Sequence, residues 1–425
     1  MKEKILDLVS EYCKEEFKPK PFEVGKDRVG VGWPCYSDEE LREAIGTILD
    51  LRLSQGPKVK KFEELYSEYI GTKYGLACNS GSSANLLALT VLIKSGRVKK
   101  GSEVIIPATT FATVVMPIIQ VGLIPKFVDV DLDTYNINIQ QMEEAINPNT
   151  GLIMTVPTLA CPIDMESVMD IANKNNLPVL EDCCEAHGAS WNGKKMGSYG
   201  TLSCFSFFVA HNITTGEGGM VLTDDDELYD LLHSTREFGR LKNYDKDKPR
   251  FYYTNGDLKD FDERYAFEEI GYNVRMTDIN ASFGIPQVKK LDELNQERIK
   301  IAKFYTTHLS KWDNYIQLPY THELGVHTFY GYIITIKEGW LQKFDRKTLV
   351  NYLENNGVET RAVMAGNLSR QTFMVGQDFE VHGDLKNANY ITDNSFFIGS
   401  HPHIDTYARK HVVDVFDNFF KQLEK

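Results

Sequence analysis

The chain has 425 residues, which is long enough for a large domain with a sizeable core and a smaller second domain. Its 60 acidic and 47 basic residues give a formal net charge of -13. This acidic balance argues against a protein that coats nucleic acid or binds a membrane surface, whereas local Arg and Lys residues still allow a small anionic substrate.

The N-terminal residues 1–17, MKEKILDLVSEYCKEEF, are charged and amphipathic, without a long apolar run. They predict a first helix, inside an N-terminal extension over residues 1–30, and not a signal peptide. The uncharged run 104–125 contains Pro107 and Pro117, which favours a buried strand and a helix over a membrane span. We therefore expect a cytoplasmic protein without membrane contact.

The cysteines form no CxxC pair, and none follows Cys204. Scattered thiols in a chain of this size predict reduced, mostly buried residues. If the neighbouring Cys183 and Cys184 lie on a strand, they point to opposite faces, so a metal pair is not expected there.

Apolar runs alternate with helical periodicity through the first two thirds of the chain. This alternation predicts an α/β fold with a mostly parallel sheet covered by helices on both faces. The predicted strands end at Cys78 or cover 104–106, 126–130, 152–155, 179–181, 203–207 and 220–223. The predicted helices cover 38–53, 58–70, 112–121, 140–146, 165–175 and 288–309, with another after Asn85.

Two glycine-containing stretches are candidate site loops. Residues 79–85, NSGSSAN, lie between a predicted strand and an apolar helix, where free first-turn amides and the helix dipole favour a phosphate. A plain N-cap at Ser82 or Ser83 is the alternative. Residues 206–219, SFFVAHNITTGEGG, place one histidine, His211, before a glycine-rich turn, with a simple loop between two strands as the alternative.

The last third of the chain predicts a second, smaller domain over residues 318–425, after a large domain over 31–317. Its predicted elements are strands at 329–336 and 358–361 and helices at 346–355 and 405–423. The polar insertion 239–267 is too long for a routine connection and predicts a lid or an interface loop.

Six ordered motifs resemble the DegT/StrS-type sugar aminotransferase family of fold type I pyridoxal phosphate (PLP) enzymes. The resemblance implies an aspartate aminotransferase-like fold, with a mixed, mostly parallel seven-stranded sheet in the large domain and a smaller C-terminal α+β domain. It also implies a homodimer with a shared active site. The motifs are NSGSSAN (79–85), PATTFATV (107–114), FVDVDLDTYNI (127–137), EDCCEAHGA (181–189), SFFVAHNITTGEGGM (206–220) and GYNVRMTDINASFG (271–284).

The same resemblance implies roles around the cofactor. A carboxylate beside the pyridine nitrogen keeps that nitrogen protonated, which makes the ring an electron sink, and an aromatic face can clamp the flat ring. The implied assignments are Ser82, Ser83 and Ser206 on the phosphate, Asn273 on a phosphate site across the dimer interface, Phe111 on the ring face, Asp182 on the ring nitrogen and Glu185 on the ring hydroxyl.

The decisive departure is His211, where the family's aminotransferases carry a lysine that bonds covalently to the cofactor. An imidazole cannot form that bond, but it can move protons near neutral pH. The exchange is the mark of the 3-dehydratases that act on nucleotide-linked 4-keto-6-deoxy sugars, in 3,6-dideoxy-sugar synthesis for surface polysaccharide. An aminosugar-forming aminotransferase and a non-catalytic PLP-binding dimer are the alternatives.

Two branches of these dehydratases are known, one with an iron-sulfur cluster and a partner reductase, and one that uses L-glutamate to form pyridoxamine phosphate (PMP). The general run of the sequence resembles the first branch. However, the insertion 239–267 contains no cysteine, and a cluster needs about four thiolates. The sequence therefore predicts no cluster, no other metal and a glutamate-driven reaction, with a reductase-coupled dehydrase as the rival.

Basic residues are candidates for the diphosphate of the substrate because Arg offers paired donors to phosphate oxygens. The candidates are Arg361, Arg370, Arg240 and Lys242, any of which could instead be simply solvated. The sequence leaves open a GDP or CDP nucleotide and a hexose or heptose sugar.

Overall fold

The computed structural model describes residues 1–18, 20–240 and 265–425. Its helices are α1 (Lys2–Glu16), α2 (Asp38–Leu49), α3 (Pro57–Ile70), α4 (Gly81–Lys94), α5 (Ala112–Gln120), α6 (Ile139–Glu144), α7 (Met165–Lys174), α8 (Asp226–Arg236), α9 (Asp278–Leu309), α10 (Arg346–Asn355), α11 (Lys386–Asn394) and α12 (Thr406–Leu423). Its strands are β1 (Tyr74–Cys78), β2 (Glu103–Pro107), β3 (Ile124–Val128), β4 (Thr150–Thr155), β5 (Val179–Asp182), β6 (Ser190–Trp191), β7 (Lys194–Lys195), β8 (Leu202–Ser206), β9 (Gly219–Thr223), β10 (Ile316–Gln317), β11 (Gly325–Val326), β12 (Gly331–Ile336), β13 (Thr360–Ala362), β14 (Glu380–Val381) and β15 (Ser395–Gly399).

The large sheet has the strand order β1-β9-β8-β5-β4-β2-β3-β14 within the described ranges. β9 runs antiparallel to both β1 and β8, and the other neighbours are parallel. Both faces are covered: in β2, Val104 and Ile106 enter the core on one face and Ile105 the core on the other. This architecture confirms the predicted mixed, mostly parallel sheet of an α/β fold.

An eighth strand, β14, extends the predicted seven-stranded sheet. Glu380 and Val381 pair in parallel with Lys126 and Phe127 of β3, so a segment from the predicted C-terminal domain completes the edge of the large sheet. Both strand residues are exposed, which is why hydropathy did not predict them. The predicted boundaries 1–30, 31–317 and 318–425 remain a prediction.

The second sheet has the order β10-β12-β15-β13 and belongs to a third core. There, Ile334 and Ile336 of β12 pack with Phe416 and Phe420 of α12. A short sheet, β11-β6-β7, lies apart from both.

Two of the longer helices, α9 and α8, also depart from the sequence prediction. α9 begins at Asp278, ten residues before the predicted start at 288, because the Thr277 side chain accepts a hydrogen bond from the Asn280 amide and caps it. Pro286 lies inside α9. α8 forms where hydropathy predicted no element, because Asp225 caps a segment that is polar on its outer face.

Residues 241–264 of the predicted insertion, including Lys242, lie outside the described residues. Among the described helices, none combines the length and apolar character that a membrane crossing requires.

Candidate active site

A cavity of about 320 Å³ lies beside the carboxyl ends of the parallel strands, where ligands of such sheets bind. It brings together six of the predicted site residues: Ser82, Phe111, Asp182, Glu185, Ser206 and His211. Its other lining residues are Ser80, Gly81, Thr113, Val114, Val156, Cys184, Phe208, Glu217, Tyr330 and Met364.

The first turn of α4 forms the anion-binding end of the cavity. The N-cap is Ser80, whose Oγ accepts a hydrogen bond from the Ser83 amide at 3.1 Å, so neither Ser82 nor Ser83 is the cap. Gly81 allows close approach here, since an added Cβ would meet the Ser206 Cβ at 2.6 Å. The amides at the start of α4 and the serine hydroxyls suit a phosphate.

Asp182 ends β5 and presents a buried carboxylate to the middle of the cavity. Its Oδ2 accepts a hydrogen bond from Asn85 Nδ2 at 2.7 Å, and its Oδ1 accepts one from the Cys184 amide at 3.1 Å. No ion pair within the described ranges includes Asp182, and burial raises the pKa of its carboxyl. A buried carboxylate without a cation at a cavity wall suits a protonated ring nitrogen.

Glu185 is a second acidic group in the cavity wall. Its Oε2 accepts a hydrogen bond from the Leu159 amide at 3.1 Å. Burial, with a smaller contribution from Asp182, raises the pKa of Glu185 to about 8. The carboxyl can therefore carry a proton near neutral pH and donate a hydrogen bond to a ligand oxygen.

His211 lies in the loop between β8 and β9 and lines the cavity. Its Nδ1 is buried and has no hydrogen-bond partner among the described residues. Tyr330 packs beside it with the ring centroids 5.3 Å apart. Burial, then the neighbouring His187 and the charge of Arg298, lower the pKa of His211 well below its usual value. The imidazole is therefore neutral and available as a base.

His187 lies behind His211, with the two ring centroids 5.9 Å apart. Its Nε2–H donates to the Ser206 carbonyl oxygen at 2.8 Å, and its Nδ1 accepts from the Tyr66 hydroxyl at 2.6 Å. Burial is the main cause that lowers the pKa of His187, to about 3. This histidine is fully bonded and holds the end of β8 in place.

The polar network continues through the residue after His211. Asn212 Nδ2 donates to Asn295 Oδ1 at 2.8 Å and to the Thr328 carbonyl oxygen at 3.2 Å. Asn295 Nδ2 in turn donates to the His187 carbonyl oxygen at 2.9 Å. The loop that carries His211 is thus tied to α9 and to the segment before β12.

The remaining predicted residues do not line the cavity of the single chain. Ser83 Oγ accepts a hydrogen bond from Ser80 Oγ. Asn273 is exposed and forms a backbone bridge with Glu237. The described arginines make other contacts: Arg361 pairs with Glu359, Arg370 pairs with Asp393, and the Arg240 guanidinium lies 5.9 Å from the Phe267 ring.

Three cavity residues lie outside every motif quoted from the sequence: Val156, Tyr330 and Met364. Val156 directly follows β4, so the rule that ligands bind at carboxyl ends of parallel strands could have found it. Tyr330 and Met364 come from the C-terminal third of the chain, and no local signal in their apolar surroundings distinguishes them from core residues.

The cavity fits the expected pyridoxal phosphate. The free amides of α4 and Ser206 match its phosphate, Asp182 matches its ring nitrogen, and Phe111, which is 53% exposed, offers a free aromatic face. The unpartnered Nδ1 of His211 also shows that the hydrogen-bonding capacity of the site is not used up within the chain.

The cysteines do not form a metal centre in the described part of the chain, where no group of three or more His, Cys, Asp or Glu residues could hold an ion. Cys183 and Cys184 follow β5 and do not lie on the strand. Burial raises the pKa of Cys183, Cys184 and Cys204 well above the usual value, so these thiols stay protonated, whereas ligation needs thiolates.

Comparison with known proteins connects this site to characterised chains. Residues 34–417 match the model of the DegT/DnrJ/EryC1/StrS aminotransferase family. The chain is 36% identical over 99% of its length to the lipopolysaccharide biosynthesis protein RfbH of Salmonella typhimurium, of which 98% is covered. It is 35% identical over 86% of its length to the GDP-4-keto-6-deoxy-D-mannose 3-dehydratase of Escherichia coli O55:H7, of which 93% is covered.

A solved GDP-4-keto-6-deoxymannose-3-dehydratase with a trapped PLP-glutamate adduct superposes with a TM-score of 0.82 at 32% identity. The superposition covers 91% of this chain and 99% of that one. The fold is therefore shared with a solved dehydratase that binds PLP.

Proposed function

Since the chain belongs to the DegT/DnrJ/EryC1/StrS aminotransferase family, in which it is a pyridoxal phosphate-dependent sugar 3-dehydratase, we propose that it removes the C3 hydroxyl of a nucleotide-linked 4-keto-6-deoxy sugar. L-glutamate supplies the reducing electrons and an amino group. The observation that carries the proposal is His211, a neutral imidazole at the reactive end of a cavity built for the cofactor.

The overall reaction balances without an external reductase. Glutamate becomes 2-oxoglutarate and gives up two electrons and its nitrogen, and the sugar loses its C3 oxygen and accepts the two electrons. The C3 oxygen leaves as water, one water is consumed when 2-oxoglutarate is released by hydrolysis, and the nitrogen leaves as ammonia. When bound, pyridoxal phosphate supplies the carbonyl that takes up the amino group, the amine of PMP that engages the C4 ketone, and a ring that stores negative charge.

The walls of the cavity bind and orient the cofactor. The α4 amides and Ser206 bind its phosphate, Phe111 and Val156 provide apolar surface for its ring, and Asp182 holds a proton on its ring nitrogen. The carboxyl of Glu185 carries a proton near neutral pH and donates a hydrogen bond to the ring hydroxyl oxygen.

His211 moves the protons. As a neutral base it accepts a proton from the carbon that joins the amine to the ring, and as the resulting acid it protonates the C3 hydroxyl so that water leaves. Lysine in its place would hold the cofactor covalently and return a proton to the sugar carbon, which would favour an aminosugar. Histidine leaves dehydration as the outcome.

The residues that bind the nucleotide diphosphate of the substrate are proposed from the basic and polar candidates outside the cavity lining. Arg361 is the first candidate for binding the diphosphate, because its charge affects the pKa of Tyr330, a residue that lines the cavity. Arg240, Arg370, Lys242 and, across a homodimer interface, Asn273 are further candidates. The seven free thiols fit a cytoplasmic enzyme of surface-polysaccharide synthesis.

The test begins with purified protein, PLP and L-glutamate. We expect the cofactor spectrum to change to that of PMP, with one 2-oxoglutarate per site. Adding GDP- and CDP-linked 4-keto-6-deoxy sugars, hexose and heptose, should then release ammonia and form a 3-deoxy-4-keto product with one of them.

The matched control is His211→Asn, which keeps a polar side chain but cannot relay the proton. An aminosugar product from the wild-type protein would show an aminotransferase. Dehydration that requires iron and a reductase, and fails with glutamate alone, would contradict the glutamate route.

A further inference from the structure

Arg298 is a buried guanidinium that the proposed mechanism does not use. It lies on α9 with 1% of its surface exposed. No ion pair in the described part of the chain includes it, and its Nε has no hydrogen-bond partner there. An unpaired buried charge is costly and needs a reason.

The hydrogen bonds of Arg298 go to the segment before β12. Its Nη1 donates to the carbonyl oxygens of Phe329 and Tyr330, each at 3.3 Å. Phe329 has a φ of 45°, in the left-handed region that a phenylalanine rarely adopts. Ser400 Oγ donates to the same Phe329 oxygen at 2.7 Å. The strained turn is therefore held by donors on its carbonyl side.

This turn decides where the Tyr330 ring lies. The Tyr330 amide donates to the Leu159 carbonyl oxygen at 3.2 Å, and the ring then packs against His211 with 5.3 Å between centroids. Leu159 also has a positive φ, 47°, and donates its amide to Glu185. Two strained turns thus meet at the reactive end of the cavity, with Arg298 bonded to one of them.

Arg298 and Asn295 lie one turn apart on the same face of α9. Asn295 holds Asn212, the residue after His211, and Arg298 holds Tyr330, the residue beside the imidazole. We propose that Arg298 is a positioning residue for His211, acting through the Tyr330 turn and through its unpaired positive charge. The inference rests on the proposed role of His211 as the base.

The charge of Arg298 favours the neutral form of His211, which is the form that can accept a proton. Burial, His187 and Arg298 together lower the pKa of His211, and Arg298 also lowers that of His187 and His401. The cation thus disfavours a second positive charge on each of these rings. Among the described residues, His187 and Tyr330 pack against the His211 ring and Arg298 acts on its pKa, and the other titratable groups of the cavity lining are Asp182, Cys184, Glu185 and Glu217.

The experiment measures the titration of His211 by NMR in PLP-loaded protein carrying ¹³C-labelled histidine rings, assigned by its loss in His211→Asn. In Arg298→Met, we expect His211 to titrate at a higher pH than in the wild-type protein. In Arg298→Lys, which keeps the charge without the paired donors, the titration should stay near that of wild type. The glutamate half-reaction of this variant should slow by about 10²-fold through misplacement.

Tyr305→Phe is the matched control, because it changes another fully buried side chain of α9 whose hydroxyl has no partner in the described structure. It should leave the titration and the half-reaction unchanged. Folded Arg298→Met with the wild-type titration would overturn the charge effect. If Arg298→Met does not fold, Arg298→Lys decides: wild-type half-reaction kinetics would overturn the positioning role.

Different results would contradict the proposed function and the proposed role of Arg298. The titration is read without sugar, so a wild-type protein that releases no ammonia from any 4-keto sugar would remove the proposed function and leave the Arg298 result standing.

Discussion

The polar side chains near the cavity form two layers, an inner layer and a layer that faces the cavity. The layers differ in how many of their hydrogen-bonding atoms have partners. In the inner layer, His187 uses both ring nitrogens, and Glu181 accepts hydrogen bonds from the amides of Gly197, Tyr199 and Gly200. In the layer that faces the cavity, His211 leaves Nδ1 without a partner in the described residues, and Glu185 accepts a single amide. The inner layer stabilises the fold, whereas the facing layer keeps hydrogen-bonding capacity for ligands.

Among the substitutions that test this comparison, His211→Asn is expected to have the largest effect. Because the substitution removes the proton relay but leaves the cavity walls, we expect the glutamate half-reaction to fall by about 10²–10⁴-fold, with PLP affinity changed much less. Single-turnover absorbance and a PLP titration measure the two quantities. Equal losses in both would mean that His211 belongs to the structural layer.

The counterpart in the inner layer is His187→Leu. It leaves the Tyr66 hydroxyl and the Ser206 carbonyl without their partner, so we expect the free energy of unfolding to fall by about 2–6 kcal/mol. Denaturant unfolding monitored by fluorescence checks this. Near wild-type stability would show that the inner bonds contribute little.

Glu185→Gln tests the facing layer through pH. The folded-state pKa of Glu185 is raised to about 8, so its contribution to stability is fully present below its unfolded pKa and is lost as pH rises through about 8. Gln keeps an oxygen for the Leu159 amide and does not ionise. In cofactor-free protein, the variant should gain roughly 2–4 kcal/mol relative to wild type on going from pH 5 to pH 8.

Unfolding of both proteins at the two pH values measures the difference. If the difference in unfolding free energy between the two proteins is the same at both pH values, Glu185 does not change its ionisation on folding.

The smallest effect is expected for Tyr66→Phe. It removes one donor to His187 Nδ1 and keeps the Nε2 bond to Ser206, so stability should fall by about 1–3 kcal/mol. The pH dependence of the half-reaction should stay that of wild type. A shifted pH profile would show that the two layers are coupled through His187.

The sequence predicted the large sheet and the residues at its strand ends better than the residues that pack against the cavity from distant segments. The continuous apolar runs of β2 and β4 and the apolar helix α4 predicted the large sheet and its cover, because a strand that is buried on two faces is apolar along its length. Cavity residues at strand ends, such as Asp182, were found because the apolar strands before them were predicted. Tyr330 and Arg298 were not, because their positions depend on a strained turn and on contacts between distant segments.

Arg298 illustrates most clearly what could not be predicted from the sequence. It stands in the charged run QERIK, where a basic residue is typical of a solvated helix face. Only the packing of α9 against the segment before β12 buries it. Similarly, β14 has too few residues and too much exposure for any periodicity to predict it.

β14 also constrains how the chain folds during synthesis. Its pairing joins residue 380 to residue 126, so the edge of the large sheet stays open until nearly the whole chain has left the ribosome. Contacts between such distant residues form slowly, and an open strand edge invites pairing with other chains. The nascent protein therefore carries its aggregation hazard at β3, and a chain that terminates before residue 380 would keep that hazard permanently.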